Sequence, residues 1–232
     1  MKKRKRPPLY SAALIFQFLL FLGCNSSQPQ NDSPKLAQAA KTPADFLAQF
    51  KNVEVDSFFI ESTNAAEDLT KFKFKGVELD STFHSFFGDA DLIKWVKRGG
   101  GQLFACYRFP LSETVQGLIL RTPSDYWESS IRIYLFDNQT GKTFRDLEVG
   151  EEWGDAGDSL SKCALLVKQK DGWKVLIFQN LCHPTEEDDL DNIECWDSTF
   201  QYTILPNAFR EISKAKSDTT KVYALIKRFS DK

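Results

Sequence analysis

From Gln102 onward the chain repeats one pattern: a run in which apolar side chains alternate with polar ones, closed by a cluster of turn residues. The runs are Gln102–Phe109, Val115–Arg121, Ile131–Asp137, Thr143–Val149, Ser161–Gln169, Trp173–Leu181 and Ile193–Ile204. Alternation with period two is the mark of a strand with one covered face. Gly99-Gly100-Gly101 marks the change into this region, and "DNQTGK" around Asn138–Gly141 and "KDG" at Lys170–Gly172 supply hairpin chemistry. No strand alternates with a long helix, which argues against a parallel sheet and favours an antiparallel meander of about seven strands.

The last two long runs fix their own register. With Cys182 opposite Cys195, Leu181 meets Trp196, Ile177 meets Phe200, Val175 meets Tyr202 and Trp173 meets Ile204, so one face is wholly apolar. The other face carries Asn180 with Asp197 and Lys174 with Thr203. A three-residue loop at Lys170–Gly172 then sets Val167 against Val175 and Leu165 against Ile177, turning Cys163 away from Cys182. The register therefore predicts a Cys182–Cys195 disulfide, and elimination leaves Cys106 with Cys163.

Ahead of the strands the signals change. "TPAD" offers Thr42 as an N-cap, Pro43 at the first helical position and Asp45 for an acidic capping box. Phe46, Leu47 and Phe50 give that short helix its apolar side. "KFKFKGVEL" alternates like a strand, while "DSTFHSFFG" and "DADLIKWVKR" read as short helices. The predicted class is α+β, with short N-terminal helices followed by a mainly antiparallel sheet in one domain spanning 42–232. The C-terminal "TKVYALIKRF" leans to strand through Val222, Ala224 and Ile226.

The first 23 residues read as an export signal. Lys2, Lys3, Arg4, Lys5 and Arg6 precede an apolar stretch from Leu9 to Gly23, which as a helix is ~22 Å long, short of a membrane's ~30 Å. At its exit, Phe21-Leu22-Gly23-Cys24 resembles the lipobox of bacterial lipoproteins. That resemblance implies cleavage after Gly23, a diacylglyceryl thioether on Cys24 and acylation of the new amino terminus. Several acyl chains at ~0.8 kcal/mol per buried methylene hold a protein at a membrane. Asn25, where the family often places Asp to mark inner-membrane retention, implies the outer membrane. Residues 24–41, polar and without aromatics, read as a tether. The body is similar in outline to β-rich lipoproteins of Gram-negative envelopes.

Charge excludes one large class of partner. The chain carries 30 Lys+Arg against 32 Asp+Glu, and loss of the five leading basic residues leaves 25 against 32, a formal charge of −7. The bases are scattered among acids, so nucleic acid is not an expected partner. Four cysteines remain once Cys24 is acylated, and an oxidising envelope pairs them.

Two loops carry the candidate binding residues. Asp125-Tyr126-Trp127-Glu128 sets an aromatic platform beside acids, and Glu151, Glu152, Trp153, Asp155 and Asp158 surround Gly154 and Gly157. The second group and the run Glu186, Glu187, Asp188, Asp189, Asp191, Glu194 offer oxygen ligands, yet neither follows the twelve-residue calcium loop. The two histidines, His84 and His183, lack a G-x-S-x-G elbow. Cys182, His183 and Cys195 have the wrong spacing for a familiar zinc site. No catalytic residue, metal or cofactor is assigned. The expectation is a lipid-anchored envelope module that binds a protein or a glycan. A carboxylate-dependent hydrolase of polysaccharide or peptidoglycan, or an inhibitor of a periplasmic enzyme, are the alternatives.

Overall fold

The computed structural model describes residues 40–62, 70, 72–124, 129–155, 157–186 and 192–216. The leading segment with Cys24, the stretch Asp125–Glu128, the run Glu187–Asp191 and the C-terminal "TKVYALIKRF" lie outside the described residues. The chain divides into Met1–Gln38 and Ala39–Lys232, and every element below belongs to the second unit.

Among the described residues, short helical pieces lie ahead of the long strands. In α1 (Pro43–Leu47) the Thr42 hydroxyl accepts from the Asp45 amide at 3.2 Å, and the Asp45 carboxylate accepts from the Thr42 amide at 2.8 Å, which completes the capping box. A 3-10 helix (Ser81–Phe86) is capped by Asp80, and α2 (Ala90–Lys97) by Asp89, whose carboxylate accepts from the amides of Asp91 and Leu92. Among the described residues no helix is long and apolar enough to cross a membrane.

The strands are β1 (Lys51–Asn52), β2 (Ser57–Ile60), β3 (Val77–Glu78), β4 (Phe104–Pro110), β5 (Val115–Thr122), β6 (Ser130–Asp137), β7 (Lys142–Asp155), β8 (Asp158–Gln169), β9 (Gly172–Pro184), β10 (Ile193–Leu205) and β11 (Ala208–Lys216). They form one eleven-stranded sheet in the order β1-β4-β5-β6-β7-β8-β9-β10-β11, with β2 added to β8 and β3 to β4. All seven expected runs are strands. The sheet is larger than the expected seven and is mixed, because β1 runs parallel to β4. Among the described residues of "KFKFKGVEL", Val77–Glu78 alone is strand.

Strand β7 turns the sheet on itself. Its Lys142–Gly150 part pairs with β6, and its Glu151–Asp155 part pairs with β8. The sheet thus has two halves, one around β4–β6 and one around β8–β11. One apolar core joins them, with Phe109, Ile119, Ile133 and Val149 from the first and Ala164, Leu166, Val175, Ile177 and Ile204 from the second. A second core lies between the helices and the other face of the first half, with Phe46, Phe83, Phe87 and Ile93 over Leu118, Leu120, Tyr134 and Phe136. Strands β5 and β6 are covered on both faces, which is why "GLIL" and "IYLF" read as continuous apolar runs.

The β9–β10 register is the predicted one, Cys182 opposite Cys195 and Trp173 opposite Ile204, and the two cysteines are bonded. The expected Cys106–Cys163 bridge is corrected, since both are free thiols. The turn between β8 and β9 has two residues, not three, because Gly172 already pairs with Gln169. That slip of one residue exchanges the faces of β8. Ala164 and Leu166 enter the core and Cys163 lies on the Cys182 side, whereas Cys106 sits in the core and donates to the Phe74 carbonyl at 3.3 Å.

Candidate functional site

The stretch "EEWGDAGDS" is a hairpin rather than an open acidic loop. Strands β7 and β8 run through it to Asp155 and Asp158, and Gly157, at φ 91°, takes the left-handed turn position. With β9 and β10 continuing the ladder, the registers align two rows across four strands, and the Asp158–His183 side-chain contact completes a third beside them. Glu151, Lys162, Gln179 and Ser198 form one; Trp153, Leu160, Leu181 and Trp196 the next; Asp155, Asp158, His183 and Glu194 the third.

These rows extend the face that closes the core at Ala164 and Ile177, because residues two apart on a strand share a face. Here that face is half-exposed. Trp153, Leu160 and Leu181 are partly buried and Trp196 is 38% exposed. Neighbouring strands lie ~4.8 Å apart, so the apolar row is ~14 Å long and one residue wide. The Leu181–Trp196 pair, expected in the core, belongs to this surface row.

Polar groups border the row on both sides. On one, His183 Nδ1 lies 2.5 Å from the Asp158 carboxylate and its ring 5.7 Å from that of Trp196. On the other, the row runs into a cleft of about 270 Å³ between α2 and the β7 corner, bounded by Trp95, Ser124, Arg132, Glu148, Glu151 and Trp153. Trp95, 38% exposed, packs on Gly100, where an added Cβ would come within 2.0 Å of the indole.

Two carboxylates in that cleft are held differently. Burial alone would raise the Glu148 carboxyl, but the Lys162 ammonium, the Arg132 guanidinium at 3.0 Å and the Ser130 hydroxyl at 3.0 Å bring it below the ordinary value. Arg132 also pairs with Asp146 at 2.7 Å. Glu151 is only 3% exposed, and burial pushes its carboxyl up, opposed by the Ser129 hydroxyl at 2.5 Å and its neighbour's amide at 3.1 Å; Glu148 pushes it up further.

These opposite displacements give opposite pH slopes. Protonated Glu151 is favoured in the fold, so its contribution is full below the ordinary glutamate value of 4.5 and is lost as pH rises through its raised folded value. Glu148 contributes above 4.5, and that contribution is lost as pH falls through its depressed folded value. Glu151→Gln should therefore gain thermal stability over the wild type as pH is raised from about 4 to about 8. Parallel melting profiles across that range would show that the fold does not favour protonated Glu151.

Of the residues singled out in the sequence, Glu151, Trp153, Asp155 and Asp158 share this face, whereas Glu152 is exposed on the other side of β7. Asp158 meets His183 across the ladder, a pairing the sequence reading missed. Cys182 and Cys195 bond on the opposite face from His183, so the three are not brought together as metal ligands. Among the described residues no group of three or more His, Cys, Asp or Glu is arranged to hold a metal. Comparison of the chain with protein-family models, curated proteins and solved structures finds no match.

Proposed function

We propose that the chain is a non-catalytic binding module of the bacterial cell envelope, held by lipid on Cys24, that takes a glycan along the Trp153–Leu160–Leu181–Trp196 row. The observation that carries this reading is the row itself: a narrow apolar track with hydrogen-bonding side chains on both edges. A sugar chain has the matching form, with C–H faces that pack on indole and hydroxyls at the rim. A protein partner would want a broader apolar centre. Asp155, Asp158 and Glu194 make the His183 side of the rim acidic, so the glycan is neutral or amino-bearing rather than anionic.

The test is a fluorescence and calorimetric titration with an N-acetylglucosamine oligomer, its deacetylated form and a polyuronate. Binding of the first two without the third is expected. Trp153→Ala and Trp196→Ala should each weaken it about ten-fold, as loss of an aromatic anchor does. Binding indifferent to both substitutions, or absent, would overturn the reading.

The second reading, hydrolysis by paired carboxylates, has one observation in its favour: Glu148 and Glu151 lie in one cleft with displacements of opposite sign. Against it, both Glu148 oxygens are taken, one by Lys162 and the other by Ser130 and Arg132. A base or nucleophile needs a free oxygen. Release of reducing ends from the same oligomers, abolished by Glu151→Gln, would replace the first reading with this one.

A further inference from the structure

On the first half of the sheet, away from the glycan row, lies a recess of about 190 Å³ where the segment Phe72–Val77 crosses β1 and β4. Its wall includes Lys51 from β1 and Lys73 and Lys75 from the segment; its floor includes Phe72, Ala105 and Cys106. The recess owes its form to Gly76, at φ 70°, where an added Cβ would come within 2.9 Å of the Ala105 carbonyl and of Phe104 Cβ and 3.0 Å of Cys106 Sγ. Only glycine lets the segment lie this close to β4.

Among the described residues that line the recess, every charged side chain is a lysine. Lys73 Nζ is placed 3.7 Å over the Phe58 ring and donates to the Phe59 carbonyl at 3.2 Å, and Glu61 is the carboxylate that acts on it. Lys51 and Lys75 form no ion pair among the described residues. Beneath them Arg121, 4% exposed, stacks on Phe104 and donates to the carbonyls of Phe74 and Lys75. The Cys106 thiol is pushed up to about 12 by burial, so the floor adds no negative charge. In a chain whose acids outnumber its bases, this recess is lined by three lysines, of which Lys73 is held on Phe58 and the Phe59 carbonyl, with a guanidinium behind them.

We propose that the recess binds the terminal phosphate of a phosphate monoester. A dianion answers several converging point charges better than a carboxylate does, and lysine serves phosphate in that way. The ester's carbon chain leaves over Phe72 and Val77. Either a soluble sugar or glycerol phosphate or the headgroup of a phosphorylated lipid presents the same group.

The experiment titrates the full chain, in neutral detergent, with glycerol 1-phosphate, with glycerol, and with mixed micelles of phosphatidic acid or phosphatidylcholine. Saturable binding of glycerol 1-phosphate identifies a soluble ester, and binding of phosphatidic acid micelles alone identifies a headgroup; either supports the site. The double substitution Lys51→Gln and Lys75→Gln changes two exposed side chains, and Lys51→Arg with Lys75→Arg keeps their charge. The first pair should weaken binding roughly five-fold per ammonium removed, about twenty-five-fold together, and the second should retain it. Absence of binding to both phosphate probes, or equal binding by the glutamine variant, would overturn the proposal.

Discussion

Phe46→Ala should lower the stability of the domain by about 3–5 kcal/mol, the cost of deleting a fully buried phenylalanine. Phe46 is the fully buried side chain that α1 gives to the second core, with 0% exposure, while Leu47 packs at the edge of that core. Its ring stacks on Phe86 at 4.9 Å, meets Phe50 edge-on at 5.3 Å and Phe87 edge-on at 5.7 Å, and packs on Phe136 at 5.4 Å and Phe83 at 6.1 Å. The cluster joins α1, the 3-10 helix and β6, and no neighbour can fill the void without leaving its own contacts. For a domain of this size, thermal melting should fall by about 10 °C. Phe46→Leu, which keeps most of the volume, should cost much less. A loss below about 1 kcal/mol for the alanine variant would mean that α1 is not docked in solution.

The second large effect is loss of the Cys182–Cys195 bridge. The bonded residues are 13 apart in sequence, and opening a loop of that length costs ~3 kcal/mol through the entropy returned to the unfolded chain. Chemical denaturation of the Cys182→Ala, Cys195→Ala double variant measures it directly. The bond sits one residue along from Leu181 and Trp196, on the opposite face, so the same variant should also weaken ligand binding at the row. Intact mass provides an independent check. Full reduction should add two hydrogens, for one bridge, while Cys106 and Cys163 resist alkylation in the native state because burial pushes both thiols up to about 12. A gain of four hydrogens would restore the second bridge.

What the sequence revealed and what it hid can be traced to particular residues. The β9–β10 register was legible because two cysteines and four apolar pairs demand the same alignment. The β8–β9 register was not, because "KDG" suits a loop of two residues as well as one of three, and a single residue exchanges inside for outside. The hairpin ends of β7 and β8 were hidden by turn formers: Gly154, Asp155, Gly157 and Asp158 disfavour strand, yet pairing of Glu151 with Lys162 and Trp153 with Leu160 carries the ladder through them. Strand β11 was missed because "FREISKAK" is charged, as suits the outermost strand among the described residues.

The site was half legible. Trp153 and its acids stood out by composition, and Trp196 and Leu181 were already aligned opposite each other. Nothing local revealed that, among the described residues, the apolar cover of this face stops short of them. That follows from where the first half of the sheet ends, which the fold alone decides.

The pairing of β2 with β8 has a consequence for how the molecule is assembled. Ser57 lies against Val167 and Ile60 against Ala164, roughly a hundred residues away along the chain, and β2 has no other ladder among the described residues. Closing so long a loop returns its entropy cost only once the meander between them is in place. During synthesis from the amino end, Phe58 and Ile60 emerge long before Ala164 and Leu166, the side chains they will pack beside. Order is therefore expected to spread from the central hairpins outward, with β2 among the last strands to find its seat.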